Sequence, residues 1–534
     1  MLDGIVKGRS PNEPAPLGGI LKAAVALIAV CSLSLALRPA MGVVDRPVVE
    51  DAFYCYTVSY NLAHGKGITI DGSTLTNGFQ PLFVFVCVPL FALAGNHKVL
   101  AIRLVFVFEW ALYMATALFL AQIVRDFIAS DDDRVSSLIP WLTAALYLSA
   151  ALVFLQHFNG LETGCLLFFY AATWRYYQAS LRDSHRHYLA LGLLLGLLVL
   201  ARIDAVFFVL ILCVNELLSR RKLRFRERAV RFLELSFPSF LVSSPWWVYN
   251  LVEFHSLMPT SGRAEQAWGL SAMRWRIIVV AFERALAPWI YSSESHLDWT
   301  AGTAVRSLLL LGVIVMGIRF RRQLVESFCR YTSASEESRR ALEFVGCLAV
   351  SLIVLAFWYV LSSWATHCYT RYLAPLGLVG VFLLAFAGAQ LYRRIPAFVS
   401  VGASVLLVIP ILVGTVILWR ANTFFAGSPM LRQQLKLVTK YVPPNDVVAA
   451  GQSGTLGYFR SNVVNLDGKV NADAFGYQSR MREYLPKVQA QWLCDWPSYV
   501  RGYLGDHPEE YGWRLVAREG EFVLYHQDAT RAGR

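Results

Sequence analysis

Glu50 and Asp51 are adjacent carboxylates in a polar stretch, 44–82, that interrupts two apolar runs. Carboxylates that close to lipid are costly unless they are used or paired. As helix-capping groups they would suit the positive end of the helix that follows. As chemistry, Asp51 is placed to be a general base toward an attacking hydroxyl. Arg371, with Tyr372, stands at the end of another apolar run. It either snorkels to lipid headgroups or forks onto phosphate oxygens, with His367 as a weaker companion. Arg202 and Asp204 sit inside an apolar run and are expected to pair with each other or a neighbour, or to line a polar cavity. Glu162, in Asn159-Gly160-Leu161-Glu162, is read first as a cap for the next span. The stretch 451–459, GQSGTLGYF, has glycines after a strand, as phosphate cradles do. No clear helix is expected to follow, however, and the spacing matches neither a P-loop nor a dinucleotide fingerprint.

A short helix must hold the acidic pair. Over 51–64, Tyr54, Val58 and Leu62 recur at i, i+4 and i+8, while Asp51, Cys55 and Ser59 share the neighbouring face. Gly65 and Gly67 end that helix. Thr76-Asn77-Gly78 makes a turn, and Pro81 opens the next apolar run.

The rest of the chain is membrane. Of 534 residues, 56% are apolar and 16% charged, against roughly 25% charged in soluble domains; mean hydropathy is +0.46. Apolar runs recur at 17–37, 82–96, 100–122, 137–156, 161–178, 187–218, 231–252, 302–318, 341–363, 372–391 and 397–419, and about 20 residues span a bilayer. The net charge of +12 comes with basic clusters at 220–224, 319–322 and 393–394, in short loops between runs. That is the positive-inside pattern and not a nucleic-acid footprint. It puts the N-terminus in the cytoplasm, with the first run as an uncleaved anchor, and loops 38–80 and 254–300 outside. Nine scattered cysteines without CxxC give neither a zinc site nor an evident disulfide framework. The run 187–218 leaves two topologies open. Either it is one tilted span of about 48 Å, or it is a hairpin and 82–96 does not fully cross. The total is about 11 to 12 spans.

From about 425 the composition turns soluble. A helix is expected at 429–441, strands at 447–451 and 463–466, a helix near 478–490, and a hairpin of 513–517 with 522–525 around Glu519-Gly520. The fold class is thus an all-α polytopic membrane protein, residues 1–424, carrying a small α/β extracytoplasmic domain, residues 425–534.

A first span, an acidic pair, Asn61-Leu62-Ala63-His64-Gly65-Lys66-Gly67, the Thr76-Asn77-Gly78 turn and Pro81 together resemble the GT-C superfamily of integral-membrane glycosyltransferases. The pattern is similar to bacterial members such as protein O-mannosyltransferases, lipid A aminoarabinose transferases and terminal arabinofuranosyltransferases. The motif-level likeness covers residues 45–82 and Arg371-Tyr372-Leu373. The resemblance implies an enzyme of the bacterial inner membrane that takes a sugar from a polyprenyl phosphate on the outer face. The acceptor is a glycan, lipid or protein. It implies Asp51 as catalytic base with Glu50 beside it, and donor-phosphate contacts from Arg371, Lys66 and Arg263. Tyr54, Asn77, Gln80, His367 and Tyr372 are the expected substrate contacts. Some relatives carry a basic residue where this chain has Gln80. A single displacement inverts the anomeric carbon, no cofactor is called for, and the acidic pair leaves a divalent metal open. Asp467, Lys469 and Asp473 touch a glycan acceptor or only solvent. The rival reading is a transporter or flippase of lipid-linked sugars, which predicts repeat symmetry that the sequence does not display. A non-catalytic scaffold gives no reason for the acidic pair.

Overall fold

The computed structural model describes residues 16–128, 133–179, 185–219, 223–289, 335–394, 409–418 and 430–528. The run at 302–318, the end of the 254–300 loop, the first part of 397–419, the basic residues 220–222 and 319–322, and the junction at 424–425 lie outside the described residues. Among the described residues three helices are long and apolar enough to cross a membrane alone: Leu17–Leu37, Lys98–Ile128 and Glu336–Ser362. Val135–Ser149 with Ala151–Phe158, bent by 66°, and Thr366–Tyr372 with Leu376–Gln390, bent by 49°, qualify as pairs.

Helix direction settles the two open topologies. The helices in question are α1 (Pro16–Leu33), α2 (Glu50–Ala63), α3 (Pro81–Ala94), α4 (Lys98–Ile128), α5 (Asp133–Ser149), α6 (Ala151–Phe158), α7 (Thr163–Gln178), α8 (His185–Ala201), α9 (Val206–Ser219) and α10 (Phe225–Phe254). At one end of the bundle the Ser338 hydroxyl donates to Phe127 O, the Gln178 amide to Ile123 O and Arg228 to Leu217 O. At the other end Asp51, Leu161, Arg202, Val206 and Ser362 line one cavity. Helix α8 therefore runs toward the cavity and α9 away from it. The stretch 187–218 is a hairpin, broken at Arg202–Ala205. Helix α10 runs back beside α8, with Gly192 against Leu235 and Glu234 and Gly196 against Ser239 and Val242. This is a small-xxx-small contact, in which the missing side chains let two helices close up.

Helix α3 does not cross. It starts beside Gln80 at the cavity, and past its end Asn96 accepts from the Tyr60 hydroxyl at 3.2 Å, while the Tyr458 hydroxyl donates to Lys98 O at 2.7 Å. Between α2 and the loop after α10 the chain thus traverses the bundle by α4, the α5–α6 pair, α7, α8, α9 and α10, which is an even number. The described parts of both polar loops stand at the cavity end.

The C-terminal segment also sits at that end. Its five strands are β1 (Val448–Ala450), β2 (Val463–Asn465), β3 (Trp492–Asp495), β4 (Trp513–Glu519) and β5 (Phe522–Gln527). They order β2-β1-β3-β5-β4, with β1 parallel to β2 and β3, and β5 antiparallel to both β3 and β4. The two expected strands and the hairpin are present, and β3 adds itself between them. Its four residues are all buried, so its Trp-Leu-Cys-Asp carries no alternation to read. A helix, Gly454–Phe459, does follow β1, contrary to the expectation that none would. The helices expected at 429–441 and 478–490 correspond to Met430–Tyr441 and to Gln478–Arg480 with Met481–Lys487.

Helix α2 is caught between the bundle and this segment. Nine of its 14 residues are buried, because one face meets α3 and the other meets the C-terminal segment. Phe53 and Tyr56 pack on Tyr458 with ring centroids 5.7 and 6.2 Å apart. A helix covered on both sides loses the one-sided pattern of a surface helix.

Candidate functional site

Asp51 lies in the first turn of α2 and faces a cavity of about 300 Å³. The walls come from distant parts of the chain: Gly78–Gln80, Leu161-Glu162, the α8–α9 break, the loop 258–266, the end of Glu336–Ser362, Arg371-Tyr372 and Lys469-Val470. Phe79, Val206, Phe207, Met258 and Trp358 supply apolar lining, so charged chemistry and a greasy chain find surfaces in one cavity.

The charges are almost balanced, and the pairing is uneven. Arg202 Nε reaches Asp204 at 2.9 Å and its Nη1 reaches Glu162 at 3.3 Å. Its guanidinium lies 4.3 Å from the centre of the Tyr372 ring. The Tyr359 hydroxyl donates to Asp204 at 2.8 Å. Lys469 Nζ pairs with Glu265 at 3.0 Å, and Glu265 also accepts from the Tyr372 hydroxyl at 3.3 Å. Burial alone would pull the Lys469 ammonium down; Asp51, Glu265 and Asp467 together push it well above its ordinary value. Two lining charges have no ion-pair partner among the described residues. Asp51 is one. Arg371 is the other: it meets only Cys368 Sγ at 3.6 Å and the Tyr372 ring, and its buried Nε has no partner.

Glu50 turns the other way. Its carboxylate accepts from the Thr455 backbone N–H at 3.0 Å and from the Thr455 hydroxyl at 2.5 Å. Thr455 lies in the first turn of Gly454–Phe459, so an acid meets the unpaired N–H groups of a helix start. The glycine-rich 451–459 stretch therefore binds a carboxylate of the same chain. Burial pushes Glu50 up to about 7 against those two hydrogen bonds. Tyr54, one turn on, donates to Gly451 O at 3.1 Å and accepts from Asn465 Nδ2 at 3.3 Å. Gly78 completes the junction. A Cβ there would lie 2.1 Å from Lys469 O, so only glycine lets the turn approach the backbone that carries Lys469.

Of the residues singled out in the sequence, Asp51, Tyr54, Gln80, Arg371 and Tyr372 line the cavity together. Gln80 Oε1 accepts from Ile203 N–H at 3.0 Å. Asn77 is not among the lining residues. It is buried, giving a hydrogen bond to Asn250 at 2.8 Å and accepting two from Thr260, at 3.0 and 2.8 Å, so it braces α2's loop against α10. Lys66 is exposed, Arg263 lies over the Phe475 ring at 5.2 Å, and His367 is exposed near Trp364; none lines the cavity. The Arg202–Asp204 pair does line it, joined by Glu162. Lys469, read from the sequence as an acceptor contact or a solvated residue, lines the cavity, and Glu265 and Tyr359 are cavity residues that the sequence reading did not single out. One signal existed for Lys469: it follows the carboxyl end of a parallel strand, where open sheets present ligand-facing loops.

No protein-family model matches the chain, and no curated protein sequence does either. Solved structures do. The fold is similar to that of ArnT from Cupriavidus metallidurans, bound to undecaprenyl phosphate and in the apo state, with TM-scores of 0.58 and 0.57 at 12% and 13% identity. Each match covers 97% of this chain and 100% of that one. It is also similar to the archaeal oligosaccharyltransferase AglB from Archaeoglobus fulgidus, in complex with an inhibitory peptide and a dolichol-phosphate, with a TM-score of 0.52 at 12% identity over 94% of this chain and 74% of that one. At these identities the likeness is one of fold. The chain is a multi-pass helical membrane protein whose fold is similar to those of ArnT and AglB.

Proposed function

We propose that the protein is a membrane glycosyltransferase that moves a sugar from a polyprenyl-phosphate donor to an acceptor hydroxyl. The observation that carries this reading is the unequal pairing in the cavity: among the described residues Asp51 and Arg371 face it without a contacting ion-pair partner, while the other lining charges are paired with one another. A carboxylate with no cation in contact is able to accept a proton. A guanidinium with an unused Nε is able to take a phosphate oxygen. Asp51 accepts the acceptor's hydroxyl proton as that oxygen bonds to the anomeric carbon. The bond from that carbon to the phosphate oxygen breaks, its electron pair stays with the phosphate, and Arg371 stabilises the charge. One displacement inverts the anomeric configuration. The apolar lining, Phe207 and Trp358 included, takes the start of the prenyl chain. That ArnT is known bound to undecaprenyl phosphate and AglB with a dolichol-phosphate supports a lipid phosphate as donor.

In this reading Glu50 holds the C-terminal segment in place, and residues 425–534 form an extracytoplasmic module above a bacterial inner membrane. The acceptor is an envelope glycan, lipid or protein. The test is transfer from a panel of radiolabelled polyprenyl-phosphate sugars, comparing the wild type with Asp51→Asn. Transfer falls by about 10²- to 10⁴-fold in the variant if Asp51 is the base. Undiminished transfer removes Asp51 from that role.

A further inference from the structure

Lys469 is the one cavity-lining cation among the described residues that comes from the C-terminal segment. Its backbone is fixed twice. Lys469 N–H donates to Asp467 at 2.8 Å, and Gly78 packs against Lys469 O so closely that no side chain fits between them. Its side chain makes one contacting ion pair, with Glu265 at 3.0 Å, and feels the charges of Asp51 and Asp467 from farther off. Arg202, by contrast, is committed to two carboxylates and the Tyr372 ring. Gln80, which also lines the cavity, carries no charge, and its amide oxygen is taken by Ile203 N–H. A glycosyl phosphodiester enters with one negative charge and leaves as a phosphate monoester with two. Arg371 matches the first charge. The second develops only as the bond breaks, and a cation that reaches it then lowers the barrier.

We propose that Lys469 is a second ligand of the donor phosphate, exchanging Glu265 for the phosphate as its charge grows. The proposal rests on the transferase reading above, and it makes the C-terminal segment part of the active site. The test uses the full-length protein in detergent, with undecaprenyl phosphate and undecaprenol as probes, so that the phosphate's share of binding is read directly. Lys469→Gln weakens undecaprenyl phosphate by about 10-fold or more and leaves undecaprenol unchanged. Lys469→Arg keeps the charge and stays within a few-fold of the wild type. Glu265→Gln releases Lys469 and does not weaken undecaprenyl phosphate. If Lys469 only clamps the segment through its ion pair, Lys469→Gln and Glu265→Gln act alike on both probes, and the proposal falls. Unchanged phosphate preference in Lys469→Gln overturns it as well, with the transferase reading intact. A wild type that binds both probes equally overturns the two together.

Discussion

Replacing Glu50 by Gln separates docking from chemistry. Burial raises the Glu50 carboxyl from 4.5 to about 7, against the pull of the two Thr455 hydrogen bonds and with a small push from Asp51. Because the folded value lies above the unfolded one, the stability this group contributes is full below about 4.5. It is lost as pH rises through about 7. At roughly 1.4 kcal/mol per pH unit, holding Glu50 ionised at pH 8 costs the folded state at most about 3.5 kcal/mol relative to its neutral form. A carboxamide has the same shape and no charge. Its oxygen can take the Thr455 N–H, and its NH₂ can donate to the Thr455 hydroxyl, which then accepts. Glu50→Gln is therefore expected to leave stability at pH 8 unchanged or to raise it by about 1–2 kcal/mol. It should also remove this group's share of the rise toward pH 5. Glu50→Ala leaves the buried Thr455 N–H without an acceptor and loses about 2–3 kcal/mol. Thermal unfolding of the full-length protein in detergent at pH 5 and pH 8, with transfer rates alongside, reads both. Docking predicts that Gln keeps turnover within about 5-fold and that Ala loses turnover and stability together. Turnover lost by 100-fold or more in Glu50→Gln, with unfolding unmoved, would refute the argument and give Glu50 a charge or proton role in the reaction.

Gly78→Ala should destabilise the junction by about 1–3 kcal/mol. Its Cβ meets backbone, Lys469 O at 2.1 Å and Val470 Cα at 3.0 Å, so no side chain can turn away. Undecaprenyl phosphate binding should weaken with it, while Gly476→Ala, which opens onto free space, serves as the neutral control. Arg202→Met strands Glu162 and Asp204 in a buried site and should cost about 3–5 kcal/mol, read as loss of folded, monodisperse protein on gel filtration. A transporter would instead give folded protein with a selective loss of translocation.

What was legible in the sequence was what repeats or stands out locally. The α2 helix, the acidic pair, the apolar runs and the hairpin at 513–525 each announce themselves within a dozen residues. Strand β3 did not, because it is buried on both faces and reads as four unpatterned residues. The sequence leaves the fold of 187–218 open for a related reason. Hydropathy counts apolar residues but carries no direction. Only the contacts of Gly192 and Gly196 with α10, and of Arg228 with Leu217, show that the chain turns back at Arg202.

The site residues divide in the same way, and the division has a physical cause. Sequence reasoning finds charges that are odd for their surroundings, but it cannot say which of them are already neutralised. Glu50 and Asp51 are neighbours, and on an α-helix neighbours point about 100° apart. That rotation sends one carboxylate into the start of a helix some 400 residues away and leaves the other facing the cavity. Arg202 is expected from the sequence to pair with Asp204, and it does, but the second partner, Glu162, is 40 residues away and becomes visible only in the fold. Lys469 is read from the sequence as touching a glycan acceptor or only solvent, and the Gly78 turn against its backbone shows where it stands. A charge's availability depends on the pairing around it, and that pairing is made by tertiary contacts across hundreds of residues. The same logic explains the glycine of the Thr76-Asn77-Gly78 turn. Its value is the approach it permits to residue 469, so the turn that closes the α2 loop also delivers the C-terminal lysine to the cavity.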